Sequence, residues 1–420
     1  MSLLIYNIHT LVHIEDSAKA RFKGAEMDKL FTQRDAYLYI REGKIEEFGQ
    51  ASSEKLNALR ASDPSLKQLD AEQGHVFPSW VDSHTHLVFA GSRELEFENR
   101  IKGLSYEEIA KQGGGILNSA KVLRECSDDD LLQSALGRLK EIQNLGTGAV
   151  EIKSGYGLSF ESELKMLRVI RKLKDTSPLL IKSTFLGAHA IPAEYKDRKK
   201  DYLQMLIREI MPVIQAEGLA DYCDIFCERN YFSSNDTLEL MEAAKSFGMR
   251  PKVHAEQLSN SGGIMAGIKC GAISVDHLEF ASKEDIGALK NSDTMPVLLP
   301  GAQLFLGLQN PPARDMIAAG CSVALSSDYN PGSCPSGNMN QMVSLACILY
   351  KMTPSEAIIA ATSNSAFAMG LEKQVGSIAK GKVANVFVTH PIPSYAFLPY
   401  SFGSNLVKTV VLKGEVHHEL

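Results

Sequence analysis

Residues 76–86 read Val-Phe-Pro-Ser-Trp-Val-Asp-Ser-His-Thr-His, an apolar run followed by two histidines with one residue between them. Similar apolar runs recur along the middle of the chain, centred near residues 148–152, 179–186, 220–226, 251–254, 273–276, 296–299 and 322–326. Several are too continuously apolar for half-exposed antiparallel strands and favour strands that are buried on both faces. Because helical patterns separate most of these eight runs, the sequence predicts an α/β fold, a (β/α)8 TIM-like barrel. Such barrels place their chemistry at the C-terminal ends of the strands.

Capping and terminating residues predict the boundaries of two of the helical segments. Residues 127–145 repeat leucines at helical spacing, with Ser127 as the expected N-cap and Gly146 as the end. Residues 235–247 predict a second helix, opened by Asn235 and closed by Gly248.

The two chain ends differ from the middle. Residues 35–48 and 406–416 each alternate around a turn, at Glu42-Gly43 and at Lys413-Gly414, which is typical of β-hairpins. Residues 382–389 predict another strand. Because chain termini often lie close together, we expect both ends to form one small domain. The prediction is a β-sandwich domain from residues 1–72 and 370–420, beside a barrel domain from residues 73–369.

Composition narrows the class of protein. The 420 residues carry 44 Lys and Arg against 50 Asp and Glu, a formal net charge of −6, which argues against nucleic acid or an anionic membrane surface as the partner. No apolar run approaches the roughly 18 residues of a membrane span, and the N-terminus lacks the basic start of a signal peptide. The seven cysteines form no CxxC pair, which favours reduced thiols. We expect a cytoplasmic enzyme that acts on a small molecule.

Five of the 11 histidines lie at predicted strand ends. They are His84 and His86 after the first strand, His189 after the third, His254 after the fifth and His277 after the sixth, while Asp328 follows the eighth. Any one alone is typical of a hydrogen-bonded, half-buried residue, but the whole set at strand ends indicates a site. Imidazole and carboxylate ligands suit Zn²⁺ and tolerate Fe²⁺ or Mn²⁺. Since such an ion lowers the pKa of its water towards about 7, the pattern predicts metal-assisted hydrolysis.

This arrangement resembles the amidohydrolase superfamily, whose barrels carry a His-x-His pair on strand 1, histidines on strands 5 and 6, and an aspartate on strand 8. Its binuclear members usually carry a bridging lysine or glutamate on strand 4. Residues 221–228, around the fourth predicted strand, contain no lysine. The resemblance therefore implies a single metal ion, with a bridging role for Glu228 as the alternative.

Five segments more closely resemble the imidazolonepropionase family of that superfamily. They are residues 77–93, Lys153-Ser-Gly-Tyr-Gly157, residues 186–190, Val253-His-Ala-Glu-Gln257 and Ser327-Asp-Tyr-Asn-Pro-Gly-Ser333. The resemblance implies hydrolysis of the cyclic amide of 4-imidazolone-5-propanoate to N-formimidoyl-L-glutamate, a step of histidine degradation. It also implies one Zn²⁺ or Fe²⁺/Fe³⁺ ion per subunit and a homodimer.

The same resemblance implies a role for each matching residue. It implies metal ligation by His84, His86, His254 and Asp328. It implies substrate contacts from Arg93, Tyr156, His189, Gln257, Asn330, Gly332 and Ser333, and a catalytic or water-orienting role for His277. We further predict Asp328, His277 and His189 as the catalytic residues. In this scheme water loses a proton to Asp328 or His277, and His277 or His189 stabilises the oxyanion.

The implied substrate has an anionic propionate arm, which needs a local cation. Arg93, seven residues beyond His86, can supply a bidentate guanidinium. The backbone amides of residues 330–333 can add donors, because glycine permits close approach of the backbone.

Two alternatives stay open. A metal-dependent deaminase of a cyclic amidine, such as cytosine or guanine, would use the same barrel, but such enzymes favour Glu where this chain has Gln257. Gln257 cannot act as a general base, and Glu256 lies one residue earlier. The other alternative is an inactive barrel that serves as a scaffold; lost metal ligands would mark it, and none is lost.

Overall fold

The strands of the described residues form two eight-stranded sheets. In this computed structural model the described residues are 2–16, 19–104, 108 and 114–419. The strands are, in chain order, β1 (Ser2–Val12), β2 (Thr32–Arg41), β3 (Lys44–Gln50), β4 (Lys67–Asp70), β5 (His75–Pro78), β6 (Trp80–Thr85), β7 (Thr147–Lys153), β8 (Leu180–Ala188), β9 (Tyr222–Cys227), β10 (Arg250–Ala255), β11 (Ser274–His277), β12 (Met295–Leu298), β13 (Ala324–Leu325), β14 (Val386–Thr389), β15 (Val407–Leu412) and β16 (Glu415–Glu419).

Helices fill most connections between the strands. They are α1 (Ser53–Ser62), α2 (Glu94–Ile101), α3 (Ile116–Glu125), α4 (Asp128–Asn144), α5 (Phe160–Thr176), α6 (Lys199–Met205), α7 (Met211–Glu217), α8 (Ser234–Ser246), α9 (Gly263–Cys270), α10 (Lys283–Lys290), α11 (Pro300–Leu306), α12 (Ala313–Ala319), α13 (Met339–Leu349), α14 (Pro354–Ile359), α15 (Ser365–Ala368) and α16 (Phe397–Tyr400). Short 3₁₀ or π segments lie at Gly24–Asp28, Ala193–Tyr195, Leu206–Ile210 and Ala360–Asn364. Among the described residues, none of the helices combines the length and the apolar composition that a membrane span requires.

One sheet joins the two chain ends. Its order is β16-β15-β14-β5-β1-β2-β3, with β4 also paired to β1. Because β14 pairs antiparallel with β5, the C-terminal strands extend the sheet of the N-terminal ones. The two predicted hairpins are confirmed as the antiparallel pairs β2–β3 and β15–β16. The prediction that both chain ends build one β-structure is confirmed, as a single sheet in which seven strands follow one hydrogen-bonded path and β4 pairs with β1 beside it.

The other sheet is the predicted barrel, in which the parallel strands β6 to β13 lie side by side in chain order. Two backbone hydrogen bonds tie the segment after β13 to the end of β6. The Asp328 amide donates to the His84 carbonyl, and the His86 amide donates to the Tyr329 carbonyl, each at 3.0 Å. The first apolar run is divided between the sheets: β5 belongs to the terminal sheet although it lies in the range predicted for the barrel, and β6 begins at Trp80.

An aromatic cluster joins the two sheets. Phe77 of β5 stacks on Phe387 of β14 with ring centroids 5.1 Å apart, and the ring of Trp80 lies 5.1 Å from that of Phe387. Burial of each phenylalanine stabilises the fold by roughly 1.5–3 kcal/mol. Gly146 has a φ of 93°, and a Cβ there would lie 2.9 Å from the Phe387 ring, so the loop before β7 needs glycine at this position.

The helix boundaries follow their caps. Ser127 accepts a hydrogen bond from the Asp130 amide and caps α4, as predicted. The predicted cap Asn235 of the other helix is wrong: Ser233 caps α8 and forms a capping box with Asp236, so Asn235 lies inside the first turn. Reciprocal hydrogen bonds between Ser233 and Asp236 satisfy two backbone amides. A cap at Asn235 would leave these amides without a hydrogen-bond acceptor.

Charged side chains occupy the barrel interior. Lys153 of β7 lies 2.6 Å from Glu151, 2.8 Å from Asp224 of β9 and 3.8 Å from Asp276 of β11. Lys252 of β10 donates to Glu151 and, at 3.0 Å, to the Ser83 carbonyl. All five charged side chains are fully buried. Burial lowers the pKa of Lys153, but the carboxylates outweigh it and raise that pKa above its usual range, so the lysine is a permanent cation.

Replacing Lys153 tests this cluster. Lys153→Met nearly keeps the length of the side chain but leaves the buried carboxylates without their shared cation. We expect the free energy of unfolding, measured by urea denaturation, to fall by about 3–5 kcal/mol, the usual cost of breaking a buried ion pair. Lys382→Met is the matched control, because this buried ammonium donates to the Val375 carbonyl and the Ser377 hydroxyl instead; it should cost about 1–2 kcal/mol. Equal losses in the two variants would contradict a special role for the cluster.

Candidate metal centre and active site

The residues predicted as metal ligands converge at the C-terminal end of the barrel. The Nε2 atoms of His86 and His254 are 3.4 Å apart, and the ligand atoms of His84, His86 and His254 lie within 4.8 Å of one another. Oδ1 of Asp328 lies 3.6 Å from Nε2 of His84 and 3.5 Å from Nε2 of His86. The structure therefore brings the four residues together, while their role as ligands stays a prediction.

The donor atoms of this cluster fit a divalent ion. Nε2 of His84 and Oδ1 of Asp328 are buried and have no hydrogen-bond partner among the described residues. A buried polar group in that condition costs about 1–3 kcal/mol, which a bound cation would offset. Burial, and after it the nearby positive charges, holds the pKa of His84 and of His86 well below the usual range. Both imidazoles are therefore neutral, as metal ligation requires.

Two buried carboxylates orient the histidines. Oδ2 of Asp276 lies 2.6 Å from Nδ1 of His84, and Oδ2 of Asp224 lies 3.0 Å from Nδ1 of His254. The contact at His84 is a hydrogen bond, and an Nδ1–H held by a carboxylate directs Nε2 towards the metal position; Asp224 lies at ion-pair distance from His254. Neither aspartate was predicted from the sequence as part of the site. The sequence signal for each was a single carboxylate within an apolar strand. In the structure both carboxylates lie in the barrel interior beside Lys153.

His277 lies beside the ligand cluster. Its ring centroid is 5.5 Å from that of His84 and 5.3 Å from that of His254. Burial lowers the pKa of His277, but the neighbouring carboxylate of Glu279, whose Oε1 lies 3.8 Å from Nδ1, outweighs it and raises that pKa. The backbone φ of His277 is 89°, a strained value that functional sites often retain. Its ring therefore favours the protonated form more than free histidine does.

His189 and Tyr156 form one wall of the site. The His189 ring stacks on His86 with centroids 5.1 Å apart, and the Tyr156 ring lies 5.5 Å from His189. Nδ1 of His189 lies 3.0 Å from the Gly155 carbonyl, which assigns the proton to Nδ1 and leaves Nε2 as an acceptor. Burial and the neighbouring His254 lower the pKa of His189 to about 3. Gly155 has a φ of 106°, and a Cβ there would lie 3.0 Å from Nδ1 of His189.

A cavity of about 430 Å³ contains these groups. Its size suits a small-molecule site. His86, His254, His277 and Asp328 line it together with the residues predicted to contact substrate, namely Arg93, Tyr156, His189, Gln257, Asn330, Gly332 and Ser333. Two further charged residues, Glu96 and Arg100, also line it, and the sequence analysis did not single them out.

The loop after β13 is held by Asn330. Its Oδ1 accepts hydrogen bonds from the amides of Gly332 and Ser333, each at 2.8 Å. The Ser333 hydroxyl in turn donates to Oδ2 of Asp328 at 3.0 Å. These two amides were expected from the sequence to donate to a ligand, but in the structure they donate to Asn330 within the loop. The loop also holds the Asp328 carboxylate in place through Ser333.

Arg93 lies against this loop. Its Nη2 is 2.5 Å from Oε2 of Glu96. A Cβ at position 332 would lie 2.1 Å from Nη1 of Arg93, so the guanidinium needs glycine there. Gly332 therefore contributes by its lack of a side chain.

The acidic residues considered near the site point elsewhere. Glu256 accepts hydrogen bonds from the amides of Gly263 and Ile264 at 2.7 and 2.8 Å, and burial raises its pKa to about 7. It faces α9, while Gln257 lines the cavity. Glu228 accepts hydrogen bonds from the Leu258 and Ser259 amides at 2.8 and 3.2 Å, so its contacts give no support to a bridging role.

Known proteins share this sequence over nearly its whole length. The family model described as "Amidohydrolase family" matches residues 75–417. An imidazolonepropionase of Flavobacterium johnsoniae is 51% identical over 416 residues, covering 99% of this chain and 100% of that protein. An imidazolonepropionase of Thermoanaerobacter pseudethanolicus is 40% identical and covers 97% of this chain and 96% of its own.

Solved structures share the fold at much lower identity. A triazine hydrolase variant superposes with a TM-score of 0.75 at 15% identity, covering 100% of this chain and 95% of its own. The guanine deaminase of E. coli superposes with a TM-score of 0.73 at 13% identity, covering 100% of this chain and 99% of its own. With the family match and the relatives above, the chain belongs to the amidohydrolase family, and within it to the imidazolonepropionases.

Proposed function

We propose that the protein hydrolyses the cyclic amide of 4-imidazolone-5-propanoate to N-formimidoyl-L-glutamate, a step of histidine degradation. One observation carries the proposal: a single cavity joins the His84, His86, His254 and Asp328 cluster to an end that contains Arg93. The first end suits hydrolysis of an amide, and the second suits a carboxylate. The full-length similarity to imidazolonepropionases supports the same substrate.

The proposed cofactor is one divalent metal ion, Zn²⁺ or Fe²⁺/Fe³⁺, held by His84, His86, His254 and Asp328. Such an ion supplies Lewis acidity, which lowers the pKa of water towards about 7. The chain orients the ligands through Asp276 and Asp224, which hold Nδ1 of His84 and of His254.

The remaining steps belong to side chains of this protein. Asp328 or His277 accepts the proton of the attacking water, whose oxygen bonds to the ring carbonyl carbon. His277 stabilises the oxyanion, because the only N–H of neutral His189 is already donated to the Gly155 carbonyl and its Nε2 can only accept a hydrogen bond. The ring C–N bond then breaks, and the nitrogen takes up the proton, which opens the ring. Arg93, Tyr156, Gln257 and the loop of Asn330, Gly332 and Ser333 hold the substrate.

The setting proposed for this activity is a homodimer in the cytoplasm. All seven cysteines are free thiols, which suits a reducing compartment. Sedimentation velocity measures the oligomeric state, and a monomer at micromolar concentration would contradict the dimer.

The substrate is tested with purified protein of measured metal content. It should remove the ultraviolet absorbance of 4-imidazolone-5-propanoate and release no ammonia from cytosine or guanine, because Gln257 cannot shuttle the proton that deamination needs. Asp328→Asn should lower turnover by about 10²–10⁴-fold, since it removes both a ligand and a proton acceptor. Ammonia release without ring opening would establish a deaminase instead.

The orienting carboxylates are tested by metal affinity. Asp276→Ala frees Nδ1 of His84, and we expect the affinity for Zn²⁺, measured by competition with a chromogenic chelator, to fall about 10–100-fold. Asp285→Ala is the matched control, because this buried carboxylate caps α10 and touches no predicted ligand. An unchanged affinity in Asp276→Ala would refute the orienting role.

His277 is tested by separating turnover from metal content. We expect His277→Ala to lose about 10²–10⁴-fold in kcat while it retains the metal, because His277 moves a proton or holds the oxyanion. His13→Ala is the matched control: this buried histidine also pairs with a glutamate, Glu15, at 3.4 Å. Turnover of wild-type size in His277→Ala would remove His277 from the mechanism.

A further inference from the structure

A second arginine, Arg100, lines the cavity end that holds Arg93 and is more available than Arg93 to bind an anion. We propose that Arg100 binds the substrate carboxylate together with Arg93 and thereby selects substrates that carry a propionate arm. This inference rests on the proposed function, which it deepens. It comes from the charges, contacts and position of α2.

Among the described residues that line this end, the charges leave one positive group in excess. Arg93, Glu96 and Arg100 are spaced at i, i+3 and i+7, which places them along one face of α2. Glu96 pairs with Arg93 at 2.5 Å and also accepts a hydrogen bond from the Gly115 amide at 2.8 Å. Its carboxylate therefore offsets one guanidinium, and no carboxylate of the described residues forms an ion pair with Arg100. An anionic substrate completes this balance.

Arg100 is held in place before any ligand arrives. Its Nη2 donates to the Gly332 carbonyl at 3.1 Å, and its guanidinium lies 4.9 Å from the centroid of the Phe305 ring. A guanidinium has five N–H donors, so donors beyond the one used on Gly332 can reach an anion. Burial, and then the positive charge of Arg93, lowers the pKa of Arg100. The two guanidinium groups carry like charges and repel each other. A carboxylate bound by both would relieve that repulsion.

The position of Arg100 is compatible with the length of the substrate. Gly332, which accepts from Arg100, is followed by Ser333, which donates to Oδ2 of Asp328 at 3.0 Å. Two adjacent residues thus connect the guanidinium to the ligand cluster, a path of at most about 15 Å. The ring carbonyl and the carboxylate of imidazolonepropionate are joined by four carbon–carbon bonds, about 5 Å. With hydrogen-bond contacts of about 3 Å at each end, the substrate reaches about 11 Å, which lies within that upper limit.

The experiment compares a carboxylate with its neutral amide. Binding of 3-(imidazol-4-yl)propanoate and of 3-(imidazol-4-yl)propanamide to the metal-loaded enzyme is measured by calorimetry in wild type, Arg100→Met and Arg100→Lys. We expect Arg100→Met to weaken the propanoate about 10–100-fold and to leave the amide unchanged, because a charge-assisted hydrogen bond is lost. Arg100→Lys retains the charge without the fork and should recover part of the affinity. For turnover, KM should rise by the same factor and kcat should change little.

Arg198→Met is the matched control. Arg198 also has a backbone carbonyl at 3.0 Å and an aromatic ring at 5.1 Å, with Asp201 as an additional contact at 3.8 Å, but it does not line the cavity. Equal affinity for the propanoate in Arg100→Met and wild type would overturn the inference while ring opening by the wild type still stands. An equal loss for propanoate and amide would also overturn it, since the role would then be structural. Failure of the wild type to open the ring would refute the proposed function instead.

Discussion

The buried ion cluster around Lys153 is the interaction on which the rest of the site depends. Its ammonium contacts Glu151 and Asp224 directly and lies 3.8 Å from Asp276. Asp224 and Asp276 in turn hold the Nδ1 atoms of His254 and His84. One lysine of β7 therefore connects two predicted ligands that belong to different strands. Because buried charges are stable only when they are paired, the cluster confines the carboxylates to these contacts, and the imidazoles with them.

The two ends of the cavity are supported by different secondary-structure elements. The ligand cluster rests mainly on β6 and β10, inside the barrel. The carboxylate end rests on α2 and on the loop after β13, which are joined by the hydrogen bond from Arg100 to Gly332. Asn330 and Ser333 stiffen that loop and tie it to Asp328. Short, hydrogen-bonded connections thus limit how far apart the two ends can lie.

Much of the fold and of the candidate site could be predicted from local patterns. The eight apolar runs became strands because β-branched and apolar residues between helices favour burial in a parallel sheet. Asp224, Asp276 and Lys153 were missed as a group because each is one charge in an apolar run and their pairing crosses strands. The cap at Ser233 was missed because four polar residues, Ser233 to Asp236, offer competing caps, and only the reciprocal bond with Asp236 decides between them. Arg100 was missed because nothing in its local sequence separates it from a solvated helix residue.

The sequence by itself determined the strand order, the placement of the histidines at strand ends and the residue types available for a metal, because these depend on period and spacing along the chain. Only the tertiary structure decided which groups touch. Closure of the barrel brought Asp328 beside His84 and His86, although more than two hundred residues separate them. Closure also buried three carboxylates around one lysine and placed Arg100 on the loop that holds Asp328. Such contacts join distant segments, and their energies arise from burial and charge pairing that no local pattern contains.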